Sequence, residues 1–341
     1  MATLGESMVT FLPTRPGRLA DVPSFERGIG GAESNVACVL ACAGHSARWV
    51  GRVGADGFGD HLVAAIAGYG VDTSAVRRDP GRPTGIYFRT AGDRATDAHE
   101  VAYYRAGSAA SAMTAGNTDL AALRAARVLH LSGITAALSA DCLALLRELT
   151  APRPGRPLVS FDVNHRPGLW RDHPEGPRVL LDLARRADLV FVGDDEARDA
   201  WGLRGAAAIR AALPEPDVLV VKHGKDGAAV FDRRAPGPAP ADGIFVPALR
   251  VDVVAAVGAG DAFAAGFLSG TLRGLSVRDR VRHGHLTAAA ALTVPGDLAR
   301  PPARGHADRL AALDDRAWET LRLGPGWTEA DARAAEEVRT P

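Results

Sequence analysis

Short apolar runs alternate with longer amphipathic stretches along most of the chain. Five runs have the length and apolar character of buried strands, at residues 47–54, 127–133, 157–164, 188–193 and 217–224. The stretches between them, such as residues 59–70, 141–150 and 176–188, repeat apolar residues every three or four positions and predict helices. This order predicts an α/β fold, a doubly wound and mostly parallel sheet with helices on both faces. Such sheets bind ligands at the C-terminal ends of their strands.

Two segments depart from this alternation. Residues 9–25 and 83–109 have the period-two pattern of strands without an intervening helix, and we expect them to form a small antiparallel β lid apart from the main sheet. The remainder of residues 1–300 forms one domain with this lid. Residues 301–341 carry charge without a strand pattern and are predicted to be a helical, loose C-terminal extension.

Composition restricts the partners of the chain. Its 341 residues are 47% hydrophobic, and 40 Lys and Arg balance 40 Asp and Glu, so no net field favours nucleic acid or an anionic membrane. The three cysteines form no CxxC pair, which argues against a disulfide framework or a zinc site. The first residues lack a secretory signal, and no apolar run has the roughly 18 residues of a membrane span. We therefore expect a cytoplasmic protein.

One short stretch suggests chemistry. Gly258-Ala259-Gly260 precede Asp261 at the start of an apolar segment with helical spacing. The first N–H groups of a helix are unpaired and carry partial positive charge, so a bare backbone there can bind a phosphate. The helix dipole should favour the ionised form of Asp261, which could accept a proton from a hydroxyl. The alternative is a tight strand-to-helix turn in which Asp261 is an ordinary N-cap.

The common nucleotide motifs are absent from the sequence. There is no GxxxxGK[ST], and residues 28–33, GIGGAE, lack the third glycine of GxGxxG. These absences argue against a P-loop enzyme and leave little support for a nicotinamide dehydrogenase.

Five stretches resemble the ribokinase-like (PfkB) carbohydrate kinases. VDVVAAVGAGDAFAAGFL looks like the C-terminal signature of that family and GRVGADGFGDHL, residues 51–62, like its N-terminal one. GGAESNVACVLACAG, DLVFVGDDEA and VVKHGKDGAAVF extend the resemblance over roughly residues 4–297. The resemblance implies an ATP-dependent kinase in which Asp261 is the general base and the 258–260 backbone is the anion hole.

The resemblance also implies a metal and a nucleotide site. Glu196 matches the acid of an Asn-x-x-Glu motif that organises Mg²⁺ in the family, although Gly193 replaces the asparagine. Lys222, Gly224 and Gly227 fall where a glycine-lined loop would lie against ATP, and the alternative there is a β-hairpin turn. Ala255-Ala256 replace the usual Asp-Thr, which places in question any role of that acid in organising the loop or a nearby monovalent cation.

Within the family, the acceptor motifs resemble the 2-keto-3-deoxygluconate kinase branch. A sugar acid needs a cation for its carboxylate, and Arg105 and Arg166 would supply it. The alternative is that each arginine is a surface charge or a structural partner of Asp162 or Glu100. Strand alternation should place Tyr103 and Arg105 on one face and Tyr104 on the other. The acceptor residues implied by the resemblance are Gly31, Asn35, Tyr87, Tyr103, Arg105, Asn164 and Arg166.

The leading hypothesis is phosphorylation of 2-keto-3-deoxygluconate to its 6-phosphate. Alternatives are a neutral-sugar kinase, such as a fructokinase or ribokinase, and a non-catalytic sugar or nucleotide sensor on the same fold. Lid strands with exposed edges favour a homo-oligomer. His165 is expected to be exposed, whereas His283 and His285 are expected to have packing or rim roles.

Overall fold

The computed structural model describes residues 1–90, 100–171, 173, 175–234 and 243–329. The predicted lid and C-terminal extension therefore lie partly outside the described residues, at 91–99 and 330–341. The strands are β1 (Ala2–Leu4), β2 (Met8–Pro13), β3 (Phe25–Gly30), β4 (Arg48–Val50), β5 (Arg52–Gly54), β6 (Arg77–Asp79), β7 (Ile86–Arg89), β8 (Val101–Tyr104), β9 (Val128–Ser132), β10 (Leu158–Asp162), β11 (Leu189–Gly193), β12 (Val218–Lys222), β13 (Gly227–Asp232), β14 (Ile244–Pro247), β15 (Arg250–Val251) and β16 (Arg322–Leu323).

The helices occupy the segments whose apolar residues recur with helical spacing, and several begin at a side-chain cap. Asp56, Ser139 and Ser276 each accept a hydrogen bond from a backbone N–H in the first turn of the helix that follows. The helices are α1 (Ala32–Cys42), α2 (Gly57–Gly68), α3 (Leu120–Arg124), α4 (Gly133–Ala136), α5 (Ala140–Thr150), α6 (Pro167–Trp170), α7 (Arg178–Arg185), α8 (Asp194–Trp201), α9 (Ala206–Ala212), α10 (Ala259–Leu272), α11 (Val277–Leu292), α12 (Arg304–Ala311) and α13 (Asp315–Thr320).

The main sheet has the strand order β14-β13-β12-β11-β10-β9-β1-β4 within the described residues. The pairs from β4 to β12 are parallel, and β13 and β14 add antiparallel strands at one edge. One apolar cluster, which includes Phe263 and Phe267, covers one face of the sheet, and another, which includes Leu143 and Leu180, covers the other. The predicted doubly wound, mostly parallel α/β fold is confirmed.

The small sheet has the order β3-β2-β7-β8. Two of its pairings are antiparallel, as expected, but β2 and β7 are parallel. The long connection through α1 and α2 is the crossover that a parallel pair requires. Tyr103 stacks toward Tyr87 and lies under Arg105, while Tyr104 contacts Phe88, so the alternation of faces along β8 is as predicted. Strand β8 is an exposed edge, and the homo-oligomer stays a prediction.

The C-terminal segment that the structure describes is packed rather than loose. Strand β16 pairs with β15 in parallel, and the side chain of Trp318 in α13 is fully buried. Its Nε1 donates to the carbonyl of Pro247 at 2.9 Å, and the Arg282 guanidinium lies 4.6 Å from its ring centre. The division of the chain near residue 300 remains a prediction. In the described part of the chain, no helix is both long and apolar enough to cross a bilayer.

Candidate active site

Three neighbouring parallel strands bring polar groups together at their C-terminal ends. Strand β10 ends at Asp162, β11 at Gly193 and β12 at Lys222, and Gly193 pairs in register with Lys222. The Lys222 Nζ lies 3.2 and 3.1 Å from the two carboxylate oxygens of Asp162. Burial alone would lower the pKa of Lys222, but the carboxylates of Asp162 and Glu196 outweigh it and raise that pKa. Lys222 is therefore a fixed cation at this edge of the sheet.

The 258–260 loop places unpaired backbone amides beside that cation. Helix α10 begins at Ala259, and its N-cap Gly258 has φ 75°, a left-handed conformation that favours glycine. Within the described residues, no acceptor takes up the amides of residues 258–261. A Cβ built on Gly260 would meet only Lys222 Nζ, at 3.8 Å, so the space over this amide is free for a ligand. Free amides at a helix N-terminus next to an ammonium group form an anion site.

Asp261 lies in the first turn of α10 and faces α1. Its Oδ2 accepts a hydrogen bond of 2.8 Å from Asn35 Nδ2, and the cap position belongs to Gly258, so Asp261 is not the N-cap. Burial raises the pKa of Asp261 to about 7, the Asp162 carboxylate adds to the rise, and Asn35, Arg166 and Lys222 oppose it. The helix dipole was expected to favour the ionised form of Asp261, but burial shifts its pKa in the other direction. A carboxyl with a pKa near neutrality suits proton transfer.

Glu196 anchors the start of α8. Its Oε2 accepts the Gly193 N–H at 2.8 Å, and its Oε1 lies 3.4 Å from Arg166 Nη1. Burial raises the pKa of Glu196, partly offset by Lys222. The residues that the structure describes contain no group of three or more His, Cys, Asp or Glu that could enclose a metal ion. Mg²⁺ needs only one or two carboxylates when phosphates and water complete its shell, and Glu196 and Asp162 fit that requirement.

The segment with Lys222, Gly224 and Gly227 is a β-hairpin. Strands β12 and β13 pair antiparallel, and Gly224 and Gly227 adopt φ values of 57° and 141° in the connection. The hairpin alternative was therefore correct for the backbone, and it leaves the turn at the same sheet edge as the anion site. A cavity of about 690 Å³ lies beside this turn, lined by residues 225–226, 245, 247–251, 319 and 322.

Three residues of the predicted acceptor site, a glycine and two asparagines, are held in place by the fold. Asn35 is buried and is held to Asp261, while its Oδ1 has no partner in the described residues. Gly31 is the N-cap of α1, where a Cβ would overlap the carbonyl oxygen of Glu6. Asn164 is buried with φ 42°, a left-handed conformation that asparagine tolerates better than most residues. Asn35 therefore places a carboxamide next to the candidate base.

The two arginines differ in how far the protein uses their charge. Arg105 forms a buried ion pair with Glu6, whose other oxygen accepts Ser108 Oγ at 2.6 Å. A structural partner was the alternative for Arg105, and the structure supplies one, although it is Glu6 rather than Asp162 or Glu100. Arg166 has a half-exposed side chain, and among the described residues its one ion pair is with Glu196, at 3.4 Å. Arg166 therefore retains donors for a ligand.

The aromatic residues of the small sheet also have different environments. Tyr87 is buried and its hydroxyl donates to Asp297, whereas Tyr103 is 54% exposed. Their ring centres are 5.3 Å apart, so Tyr103 extends the aromatic surface of Tyr87 toward solvent. This surface is suited to contact a sugar ring.

Sequence reasoning missed three acids at this site and misplaced one histidine. Asp162 ends an apolar strand, which is a usable signal, and Glu6 follows the first strand, but nothing in the local sequence marks Asp297. His165 was expected to be exposed, but only 7% of its surface is accessible. His283 and His285 are buried packing residues, as expected.

Comparison with known proteins adds independent information. The sequence pattern described as pfkB family carbohydrate kinase matches residues 1–304. A 2-dehydro-3-deoxygluconokinase of Bacillus subtilis (strain 168) is 36% identical over 89% of this chain and 92% of its own length. Fructokinase-1 of Zea mays is 31% identical over 79% of this chain and 81% of its own. The crystal structure of a PfkB protein from Polaromonas sp. JS666 superposes with a TM-score of 0.77 at 36% identity, covering 90% of this chain and 98% of that one.

Proposed function

Since the chain belongs to the pfkB family of carbohydrate kinases and is a sugar kinase, we propose that its acceptor is a sugar acid, 2-keto-3-deoxygluconate, which it converts to the 6-phosphate with ATP and Mg²⁺. The observation that carries the acid preference is Arg166, a half-exposed cation whose charge acts on Asp261. Arg105 adds a second guanidinium on the lid side. Guanidinium groups bind carboxylates with paired hydrogen bonds. A relative of 36% identity that is named for this substrate supports the proposal.

Asp261 is proposed to take the proton of the acceptor hydroxyl. As the hydroxyl oxygen forms its bond to the γ-phosphorus, the bond from that phosphorus to the bridging oxygen of ADP breaks, and the proton passes to the Asp261 carboxylate. The amides of residues 258–260 and the Lys222 ammonium stabilise charge on the phosphoryl oxygens. Mg²⁺, when bound with the nucleotide, neutralises further phosphate charge, and Glu196 and Asp162 would hold it. The small sheet would act as a cover that excludes water from the reacting groups and limits ATP hydrolysis.

The raised pKa of Asp261 predicts a pH dependence. Only the carboxylate can accept the proton, so kcat/KM is expected to rise about tenfold per pH unit below about pH 7 and to level off above it. The measurement is an ADP-release assay in steps of about 0.5 pH units from pH 5.5 to 9. Mg²⁺ is kept in excess so that titration of the nucleotide contributes little. A profile of kcat/KM that is flat from about pH 5.5 to 8 would contradict the assignment of Asp261 as the base.

Replacing Arg105 should distinguish an acid acceptor from a neutral one. Loss of one charge-assisted hydrogen bond corresponds to about 10- to 100-fold in KM for the keto acid, whereas KM for fructose should change less than about threefold. Arg105→Met leaves Glu6 buried without its partner, so the matched variant is the double change Arg105→Met with Glu6→Gln. Equal loss with both acceptors in both variants would argue against a carboxylate-binding role.

A neutral-sugar kinase is the second candidate. The engagement of Arg105 by Glu6 favours it, because a paired guanidinium is less available to a substrate carboxylate. Relatives named fructokinase match the chain at 31% identity. ADP release from wild-type enzyme with the keto acid, gluconate, fructose and ribose separates the two candidates. Turnover of fructose without turnover of the keto acid would overturn the acid preference and retain the kinase.

A further inference from the structure

A buried cluster joins the small sheet to the loop that follows α11. Arg89, on β7, is 4% exposed, and its Nη2 donates to Asp297 Oδ1 at 2.6 Å and to the Pro295 carbonyl at 3.2 Å. Tyr87, on the same face of β7, donates its hydroxyl to the other oxygen of Asp297. A Cβ on Gly30 would overlap this hydroxyl and would lie 2.6 Å from Asp297 Oδ2, so β3 closes the cluster from the remaining side. The lid strand is thereby fixed to residues 295–297.

The same loop supports the anion site from behind. A Cβ on Gly258 would overlap the carbonyl oxygen of Asp297, so the backbone of this loop packs directly against the N-cap of α10. Gly258 is followed directly by Ala259, Gly260 and Asp261, which begin α10. A displacement of residues 295–297 therefore moves the groups that would hold the phosphoryl and the acceptor hydroxyl.

The residues around this loop do not fit a monovalent cation. Ala255 supplies no carboxylate, and the Leu292 carbonyl accepts the amides of Val254 at 2.8 Å and Ala255 at 3.3 Å. Thr293 Oγ1 donates to the Ala290 carbonyl, and the Pro295 carbonyl and Asp297 carboxylate are taken by Arg89. Within the described residues, each of these carbonyl and carboxylate oxygens already accepts a hydrogen bond from the protein, and the negative charge of Asp297 is already balanced by Arg89.

We propose that the guanidinium of Arg89 is a built-in cation that braces the 295–297 loop behind Gly258, couples the lid sheet to the anion site, and makes the rate independent of monovalent cations. Arg89 touches neither the reacting atoms nor the 258–260 amides, so it is a positioning residue. A guanidinium is permanently charged and directs several N–H donors into fixed positions, as needed to hold a carboxylate and a carbonyl together. The inference rests on the proposed kinase function.

The first test compares cations on the wild-type enzyme. We expect kcat in K⁺, Na⁺ and tetramethylammonium chloride at equal ionic strength to agree within about twofold, because the brace is part of the chain. A saturable activation by K⁺ of about tenfold or more over tetramethylammonium would overturn the proposal. The salts are compared at equal ionic strength, so screening of charges cannot produce such a difference.

The second test removes the guanidinium. A misplacement of about 1 Å costs about 10²-fold, so Arg89→Ala should lose about that factor in kcat with less than about a threefold change in KM for ATP. Amide hydrogen exchange at Ala262, whose N–H donates to the Gly258 carbonyl at 2.9 Å, should accelerate. Added guanidinium chloride, at roughly tens of millimolar, should fill the space left by the side chain and restore part of kcat. Arg89→Lys retains the charge and should lose less than Arg89→Ala.

The matched control is Arg156→Ala, which breaks the Arg156–Asp188 pair of 2.7 and 2.8 Å at the opposite end of the strands. It should leave kcat and the exchange of the Ala262 amide unchanged. A folded Arg89→Ala enzyme with wild-type kcat, or equal losses in the control, would refute the brace. The rates use whichever acceptor the wild-type enzyme turns over, and the exchange measurement needs no turnover. Failure of the acid preference is therefore distinguishable from failure of the brace.

Discussion

Asp261→Asn is expected to lower kcat by about 10²- to 10⁴-fold, the usual contribution of a general base. The amide cannot accept the hydroxyl proton, but its oxygen can still accept the hydrogen bond from Asn35, so the local geometry should persist. ADP release in the presence of acceptor measures the loss. Binding of ATP, followed by calorimetry, should be retained, because the amides of residues 258–260 and Lys222 are unchanged.

Measurements of stability distinguish this loss of kcat from a loss of folding. The folded protein binds the Asp261 proton more tightly than an unfolded chain, since the pKa rises from 3.8 to about 7 on folding. Ionisation of Asp261 therefore lowers the free energy of unfolding as the pH rises between these values, and asparagine removes that penalty. Asp261→Asn should be at least as stable as the wild type at pH 8 (about one unit above the pKa) in denaturant titrations. A variant that is folded and fully active would exclude Asp261 as the base.

Gly258→Ala is expected to reduce both stability and activity. Alanine at a φ of 75° is strained, and its Cβ would overlap the Asp297 carbonyl, so the cap of α10 must move. Backbone strain of this kind costs about 1–3 kcal/mol, and displacement of the anion loop should lower kcat about 10²-fold or more. Thermal unfolding and ADP release measure the two effects.

Gly260→Ala is the matched control for this change. Its backbone is helical and its Cβ would meet only Lys222 Nζ at 3.8 Å, so the folded protein can accommodate it. It should keep the stability of the wild type and lose kcat, because the methyl group occupies the space over the amide that the phosphoryl needs. If Gly260→Ala had wild-type kcat with a saturating acceptor, the phosphoryl group would not lie over this loop.

Much of the architecture was predictable because the hydrophobic pattern of each segment agrees with its burial in the folded chain. The predicted runs at residues 157–164, 188–193 and 217–224 contain three adjacent parallel strands, which end at Asp162, Gly193 and Lys222. The GAGD stretch is the start of a helix, as expected. A sheet buried on both faces demands such runs, and a helix that must leave its N-terminus bare demands small residues there. The parallel pairing of β2 with β7 was missed because strand alternation does not encode the direction of a partner.

The electrostatic character of the site was less predictable. The near-neutral pKa of Asp261 depends on burial and on Asp162, which is distant in sequence, and the local helix dipole pointed the wrong way. The partner of Arg105 is Glu6, which lies 99 positions earlier in the sequence. Asp297 lies in a turn with no local signal, yet it joins Tyr87 and Arg89 to the back of the anion loop. Long-range contacts, which no local pattern records, determine these properties.

The most direct test of the central assignment is a crystal structure of the chain with ADP, aluminium fluoride, Mg²⁺ and the keto acid. We expect the fluoride ligands to accept hydrogen bonds from the amides of residues 258–260, with Asp261 within about 2.6–3.2 Å of the acceptor hydroxyl. A phosphoryl analogue bound away from these amides, or an acceptor hydroxyl out of reach of Asp261, would contradict the assignment.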